Sequence, residues 1–133
     1  MDTKKLCVEE LMNREARTIA QDASLQSAAK RMSEWGVSSL VVEPEDAHDA
    51  FGIVTRKDVV EAYDTAGAGT MPLLVEDVMT KPAITVNPEL SLHQCLQLMR
   101  LVGVRRVPVV KDGALVGILS NTDVFRHLAG TLT

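Results

Sequence analysis

Apolar residues recur along the chain first at helical spacing and then in short runs. Leu25, Ala28, Ala29, Met32 and Trp35 repeat every three or four positions behind Ser24, whose hydroxyl suits an N-cap, and Gly36 supplies a left-handed stop. This stripe predicts a helix with all five residues turned toward a core. Ser38-Ser39-Leu40-Val41-Val42 predicts a strand, and Glu43 to Ala50, with Pro44 and several carboxylates, predicts a solvated loop. A strand over Phe51 to Val54 and a helix from Arg56 to about Tyr63 follow. Ahead of them, Val8 to Met12 reads as a short helical lead-in and Arg17-Thr18-Ile19 as a brief extended stretch.

The same order then restarts. Val75 to Met79 repeats the lead-in and Ile84-Thr85-Val86 the extended stretch; Ser91 caps a helix with its stripe at Leu92, Cys95, Leu96, Met99 and Val102, and Gly103 ends it. A strand over Arg106 to Val110, a turn at Lys111-Asp112-Gly113, a strand over Ala114 to Leu119 and a helix from Ser120 to about Leu128 complete the pattern. Val8 and Val75, Met12 and Met79, Thr18 and Thr85, Ser24 and Ser91, Leu25 and Leu92, Met32 and Met99, and Gly36 and Gly103 are each 67 positions apart. After the acidic loop the offset falls to 65, as in Gly52 and Gly117, so the second hairpin is two residues shorter. Matches at one offset through helix, strand and turn positions indicate internal duplication. The chain therefore divides into a repeat over 1–66, a linker over 67–74 rich in Gly, Ala and Thr at its start, and a repeat over 75–133. Each half is too short to bury its own sheet face, so the halves are expected to pack together about a pseudo-twofold axis.

Composition narrows the functional classes. Hydrophobic content of 46% supports a core built from Val, Leu, Ile, Ala and Met, because aromatics are only 3%. A net charge of −4 offers no general attraction to nucleic acid. No apolar run reaches the ~18 residues of a membrane span, and no signal-type stretch follows Met1 to Lys5, so a cytoplasmic protein without membrane insertion is expected. Cys7 and Cys95 lack metal-ligand spacing and read as reduced, packed thiols, and the three histidines are scattered, so no metal is expected.

Candidate chemistry lies in a phrase stated twice, Gly52-Ile53-Val54-Thr55-Arg56-Lys57-Asp58 and Gly117-Ile118-Leu119-Ser120-Asn121-Thr122-Asp123. A hydroxyl residue stands where strand becomes helix, and an aspartate follows three positions later. Unpaired N–H groups and the positive end of the dipole at such a helix start suit a phosphate, and an ionised aspartate can accept two ribose hydroxyls. The same spacing also describes a capping box that needs no ligand.

A β-α-β-β-α unit that opens with Asp77-Val78-Met79-Thr80, passes through Thr85-Val86-Asn87-Pro88 and Arg105-Arg106-Val107-Pro108-Val109-Val110, and closes on Gly117 to Asp123 strongly resembles a CBS domain. The first copy departs from it with Leu11-Met12-Asn13 and with Val41 in place of the strand proline. The resemblance covers Val8 to about Leu128 and implies an α/β (α+β) fold of two tandem CBS repeats, a Bateman module, with no catalytic or transport domain attached. It further implies a regulatory, non-catalytic module that binds AMP, ADP, ATP or S-adenosylmethionine in clefts between the repeats and modulates an unidentified partner protein. Carried over, the ribose-binding aspartates are Asp58 and Asp123, with Thr55 and Ser120 facing phosphate. Crossing of the repeats would set Arg105 and Arg106 opposite Thr55 and Asp58, with Lys57 nearby and Ala83 and Ile84 at the base. Ser38 and Ser39 would lie opposite Ser120 and Asp123, with Ala16 and Arg17 at the base. Guanidinium forks match phosphate oxygens, so the Thr55/Asp58 site is expected to prefer the more phosphorylated nucleotides.

The resemblance also implies a disc-shaped homodimer, to which Leu11, Trp35, Leu73, Leu74, Phe125 and Leu128 could contribute if they are not core. Two other classes bear comparison. An enzyme using Asp58 and Asp123 as acid and base lacks a positioned nucleophile and a Walker-type loop. A nucleic-acid-associated adaptor is opposed by the acidic balance.

Overall fold

The computed structural model describes residues 1–67 and 73–132. A 3-10 turn at Val8–Glu10 precedes β1 (Thr18–Ile19), α1 (Leu25–Trp35), β2 (Ser39–Val42), β3 (Gly52–Thr55), α2 (Arg56–Ala66), α3 (Val75–Val78), α4 (Leu92–Val102), β4 (Arg106–Lys111), β5 (Ala114–Ser120) and α5 (Asn121–Leu132). These elements form two compact units, an inner one of Arg17–Ala83 and an outer one of Met1–Ala16 with Ile84–Thr133. Among the described residues no helix is long and apolar enough to cross a membrane.

In the inner unit α1 begins where the Ser24 hydroxyl accepts the Ser27 N–H at 3.0 Å and ends at Gly36, whose φ of 64° is left-handed. Leu25, Ala28 and Met32 are buried, as the stripe requires. Trp35 is not: the last helical residue swings off the core, leaving it 39% exposed with the Arg17 guanidinium 4.9 Å from the ring centroid. The sheet order is β1-β2-β3, with β1 parallel to β2 and β2 antiparallel to β3, and Ser39 stands opposite Thr55. The core joins Ile19, Leu25, Leu40, Val42, Val54 and Val59 to Val75 of α3.

The outer unit repeats this plan with one strand reduced. Ser91 caps α4 by accepting the Gln94 N–H at 3.1 Å, Gly103 closes it at φ 74°, and Leu92, Cys95 and Met99 are buried. Burial pushes the Cys95 thiol up to about 11. Val102, the counterpart of Trp35, is likewise exposed. Asp112 and Gly113, at φ 52° and 80°, form the two-residue turn between β4 and β5. The expected extended stretch Ile84 to Val86 is not a strand, retaining a single bridge from Val86 to Val109. Pro108 is the cause. Its counterpart Val41 donates its N–H to the Arg17 carbonyl at 2.9 Å, and a proline nitrogen has no proton to give.

The two lead-ins are exchanged between the repeats. Val8 N–H bonds the Leu90 carbonyl at 2.9 Å and Glu9 N–H that of Pro88 at 3.0 Å, while Val75 N–H bonds Ala23 at 2.8 Å and Glu76 N–H bonds Gln21 at 3.0 Å. Accordingly Val8 and Met12 join the core of the outer unit, and Val75 that of the inner one. The sequence repeats and the spatial units are thus different partitions of the chain. Leu11 and Leu73 pack against these cores, whereas Trp35, Phe125 and Leu128 are exposed. Of the stretch read as linker, residues 68–72 lie outside the described residues; Leu73 accepts from the Leu25 N–H at 2.8 Å. Helix α2 runs three residues past Tyr63 to Ala66, and α5 continues past Leu128 to Leu132.

The glycine opening each repeated phrase is explained by this exchange. Asn13 pairs with Ile118 and Thr80 with Ile53, so a lead-in runs beside each last strand. A Cβ at Gly117 would lie 2.8 Å from both the Asn13 carbonyl oxygen and the Met12 sulfur, and one at Gly52 would lie 3.2 Å from the Thr80 oxygen and the Met79 sulfur. Gly117→Ala is therefore expected to lower stability by about 1–3 kcal/mol in urea unfolding, and Gly52→Ala by less, because overpacking against main chain has no flexible neighbour to absorb it. Equal stability of Gly117→Ala and wild type would refute this account of the motif.

Candidate ligand-binding site

Each corner begins with the last residue of a strand in extended conformation and a helix that starts immediately after it. At the inner corner the Thr55 hydroxyl accepts the Asp58 N–H at 3.1 Å, and Asp58 Oδ2 accepts the Thr55 N–H at 2.8 Å. At the outer corner Asp123 Oδ2 accepts the Ser120 N–H at 3.1 Å and its hydroxyl at 2.9 Å, while the Ser120 Oγ accepts the Asp123 N–H at 3.2 Å. Both motifs are therefore closed capping boxes. The capping role does not exhaust the carboxylates. A carboxylate has about four acceptor positions on two oxygens, and the boxes engage Oδ2 alone; among the described residues no hydrogen bond reaches Oδ1 of Asp58 or Asp123. Both aspartates are half-buried.

The helix starts offer less to an anion than the sequence alone suggests. Arg56 N–H donates to the Ser38 carbonyl at 2.9 Å and Asn121 N–H to that of Arg105 at 2.9 Å, while Asp58 and Asp123 N–H serve the caps. At each helix start the first and third backbone donors are thus already engaged.

Strand pairing decides which predicted residues stand together. In the inner unit Ser39 pairs with Thr55, and Ser38 bonds the residue after it, so both serines flank the Thr55/Asp58 corner; Ser39 is buried at 8% exposure. In the outer unit Arg106 pairs with Ser120 and Arg105 bonds Asn121, so the two arginines flank the Ser120/Asp123 corner. The grouping of Arg105 and Arg106 with Thr55 and Asp58 takes residues from both units. Lys57 faces solvent, 82% exposed and 3.8 Å from Glu61, a geometry worth little in water.

Ala83 is half-buried in the inner unit, its N–H bonded to the Phe51 carbonyl at 2.8 Å, on the segment that pairs with β3 through Thr80. Ala16 is half-buried in the outer unit, three residues beyond Asn13. The division between units falls between Ala16 and Arg17 and between Ala83 and Ile84, so it cuts both pairs expected at the base. Ile84 is 41% exposed, and Arg17 is stacked on Trp35.

Sequence reasoning missed a polar knot beside Ala83. Asp49 accepts from Lys81 Nζ at 2.6–2.7 Å, from Gln21 Nε2 at 2.9 Å and from the N–H groups of Glu45 and Ala50, each at 2.9 Å. The Lys81 ammonium, followed by the backbone donor of Glu45, holds this carboxyl well below the usual carboxylate range. The only sequence signal was an acidic loop, whose composition looks the same whether its carboxylates face water or a lysine. A second feature, an apolar groove of about 490 Å3, lies between α1 and α2, where Met32, Gly36, Val37 and Val59 are among its walls.

The family model for the CBS domain matches residues 8–65 and again 75–130. An inosine-5'-monophosphate dehydrogenase of Korarchaeum cryptofilum is 35% identical over 118 residues, 88% of this chain and 23% of that protein. The hexameric CBS-CP12 protein from bloom-forming cyanobacteria superposes with a TM-score of 0.81 at 35% identity, covering 90% of this chain and 66% of that one. The CBS domain pair of protein MJ0100, solved with 5'-methylthioadenosine and S-adenosyl-L-methionine, has the same fold, with a TM-score of 0.81 at 24% identity over 92% of this chain and 99% of that one. Two further relatives are also longer, the chain spanning 63% and 52% of them. With two matched copies filling most of its length, and with lead-in, glycine and capped corner recurring in each, the chain belongs to the CBS-domain family.

Proposed function

We propose that this protein is a non-catalytic regulatory module that binds an adenosine-containing ligand, AMP, ADP, ATP or S-adenosylmethionine, at its two capped corners and thereby alters its contact with a partner protein. The observation that carries the reading is the half-used carboxylate: Asp58 and Asp123 each cap a helix with Oδ2 and keep Oδ1 for the vicinal hydroxyls of a ribose. The adenosyl ligands of the structurally similar MJ0100 pair support it. Thr55, Ser38, Ser39 and Ala83 accompany Asp58; Ser120 and Ala16 accompany Asp123. Ile84 and Arg17 extend the base at the two ends, and Lys57 contributes at most long-range charge. Arg105 and Arg106 supply the phosphate contacts. Ligand shifts the partner equilibrium only by its difference in affinity between two states of the module. A cytoplasmic setting fits two cysteines without a disulfide.

Self-association belongs to the same proposal. Val60 and Phe125, 61% and 67% exposed, occupy equivalent positions in the repeats, as do Tyr63 with Leu128 and Trp35 with Val102. Apolar side chains left bare at matching places on α1, α2, α4 and α5 favour burial against a second copy in a homodimer.

Three outcomes are expected. By titration calorimetry with AMP, Asp58→Asn and Asp123→Asn should each weaken one class of site about 10–100-fold, the cost of a lost charge-assisted hydrogen bond, while Thr55→Ala, which removes the cap, lowers stability more than affinity. Unchanged AMP binding in both aspartate variants would leave the motif as a cap alone. Arg106→Ala should reduce affinity for ATP at least tenfold more than for adenosine, and combining it with each aspartate variant identifies the corner it serves; equal losses for ATP and adenosine would reject the phosphate role. Phe125→Asp should convert the sedimenting species to monomer, and an unaltered sedimentation coefficient would remove the helix faces from the interface.

A further inference from the structure

The Asp49 knot ties together three stretches of the inner unit: Gln21 just after β1, the loop from Glu43 to Ala50, and Lys81 two residues ahead of Ala83. Four donors converge on one carboxylate, Lys81 Nζ reaching both of its oxygens, and its side chain is 19% exposed against 24% for the lysine. Gln21, 6% exposed, spans the knot, donating to the Glu43 carbonyl at 3.2 Å as well as to Asp49. Among the described residues of the outer unit there is no equivalent knot. At the matching offsets Lys81 is replaced by Arg14, Gln21 by Pro88 and Asp49 by Ala114, and the loop has shrunk to the Asp112-Gly113 turn. The backbone follows suit: Ala83 N–H bonds Phe51, whereas among the described residues Ala16 makes no corresponding bond.

We propose that the Lys81–Asp49–Gln21 knot is a positioning device that holds the segment Thr80 to Ala83 registered along β3 before any ligand arrives, so that the two corners differ in preorganisation. Granted the ligand reading above, the Thr55/Asp58 corner meets a ligand with its neighbouring wall already set, and the Ser120/Asp123 corner must order Ala16 and its neighbours on binding. The former gains affinity and selectivity from a fixed wall; the latter tolerates a wider range of adenosyl compounds. Lys81 touches no ligand in this scheme and acts through the backbone of Ala83.

Amide hydrogen exchange on the ligand-free protein tests the device directly. Lys81→Met should accelerate exchange at Ala83 by about tenfold, the factor expected when one residue's backbone is released. Exchange at Asn13 and Ile118 should stay as in wild type, and Lys81→Arg should restore Ala83. Unchanged exchange at Ala83 in Lys81→Met overturns the proposal. Should that variant not fold, Asp49→Asn, which keeps an acceptor for Gln21 and the loop amides but removes the charge facing Lys81, carries the same comparison. Calorimetry with AMP then reads the consequence: a loss of about tenfold at the site weakened by Asp58→Asn, with the site weakened by Asp123→Asn unaffected. Equal losses at both sites, or none at the first despite faster exchange, overturn the role in binding. Absence of AMP binding in the wild type overturns the ligand reading alone, since exchange at Ala83 is measured without it.

Discussion

The structure depends on a main-chain pairing in which each repeat's closing strand receives its neighbour from the other repeat. Asn13 exchanges both backbone hydrogen bonds with Ile118, at 2.8 and 2.9 Å, and Thr80 does so with Ile53, at 3.0 and 2.9 Å. From this reciprocal borrowing follow the glycines that admit the passing chain, the burial of Val8 and Val75 in the opposite cores, and the delivery of Ala83 to the strand that ends in the Thr55/Asp58 corner. Local sequence sets the caps and helices; the borrowed lead-in sets what stands next to them.

Capping uses one oxygen of each corner aspartate and leaves the other available, so the proposed recognition would not compete with it. A capping box satisfies donors that the helix start would otherwise leave unpaired, and it holds the carboxylate in place through one oxygen. The cap would thus prepare the proposed binding role, because a side chain already immobilised has little rotamer entropy left to lose. Backbone N–H groups drawn off to Ser38 and Arg105 tie each helix start to the neighbouring strand as well.

Much of this was legible in the chain. The offsets of 67 and 65 reported the duplication, and Ser24, Gly36, Ser91 and Gly103 marked the helix ends at the positions where caps form, because capping is decided by residues within one turn. The family resemblance stood on Asp77 to Thr80, Thr85 to Pro88, Arg105 to Val110 and Gly117 to Asp123. What was hidden depends on partners far along the chain. Trp35 and Val102 satisfied the helical period yet lie past the edge of the core. Pro108 was visible, but its effect on Ile84 to Val86 required knowing that its nitrogen faces the missing bond. Lys81 and Asp49, 32 positions apart, carry no mark that distinguishes them from solvated charges. The exchange itself left no periodic trace, since a lead-in has the same apolar pattern whichever core receives it.

The exchange also orders events during synthesis. The inner unit is contiguous in sequence and can close once Ala83 has cleared the ribosome, whereas residues 1–16, made before it, have no strand to join until β5 exists. Residues 1–16 are therefore seated after the segments that follow them, and an isolated half would offer a bare strand edge to the lead-in of another molecule.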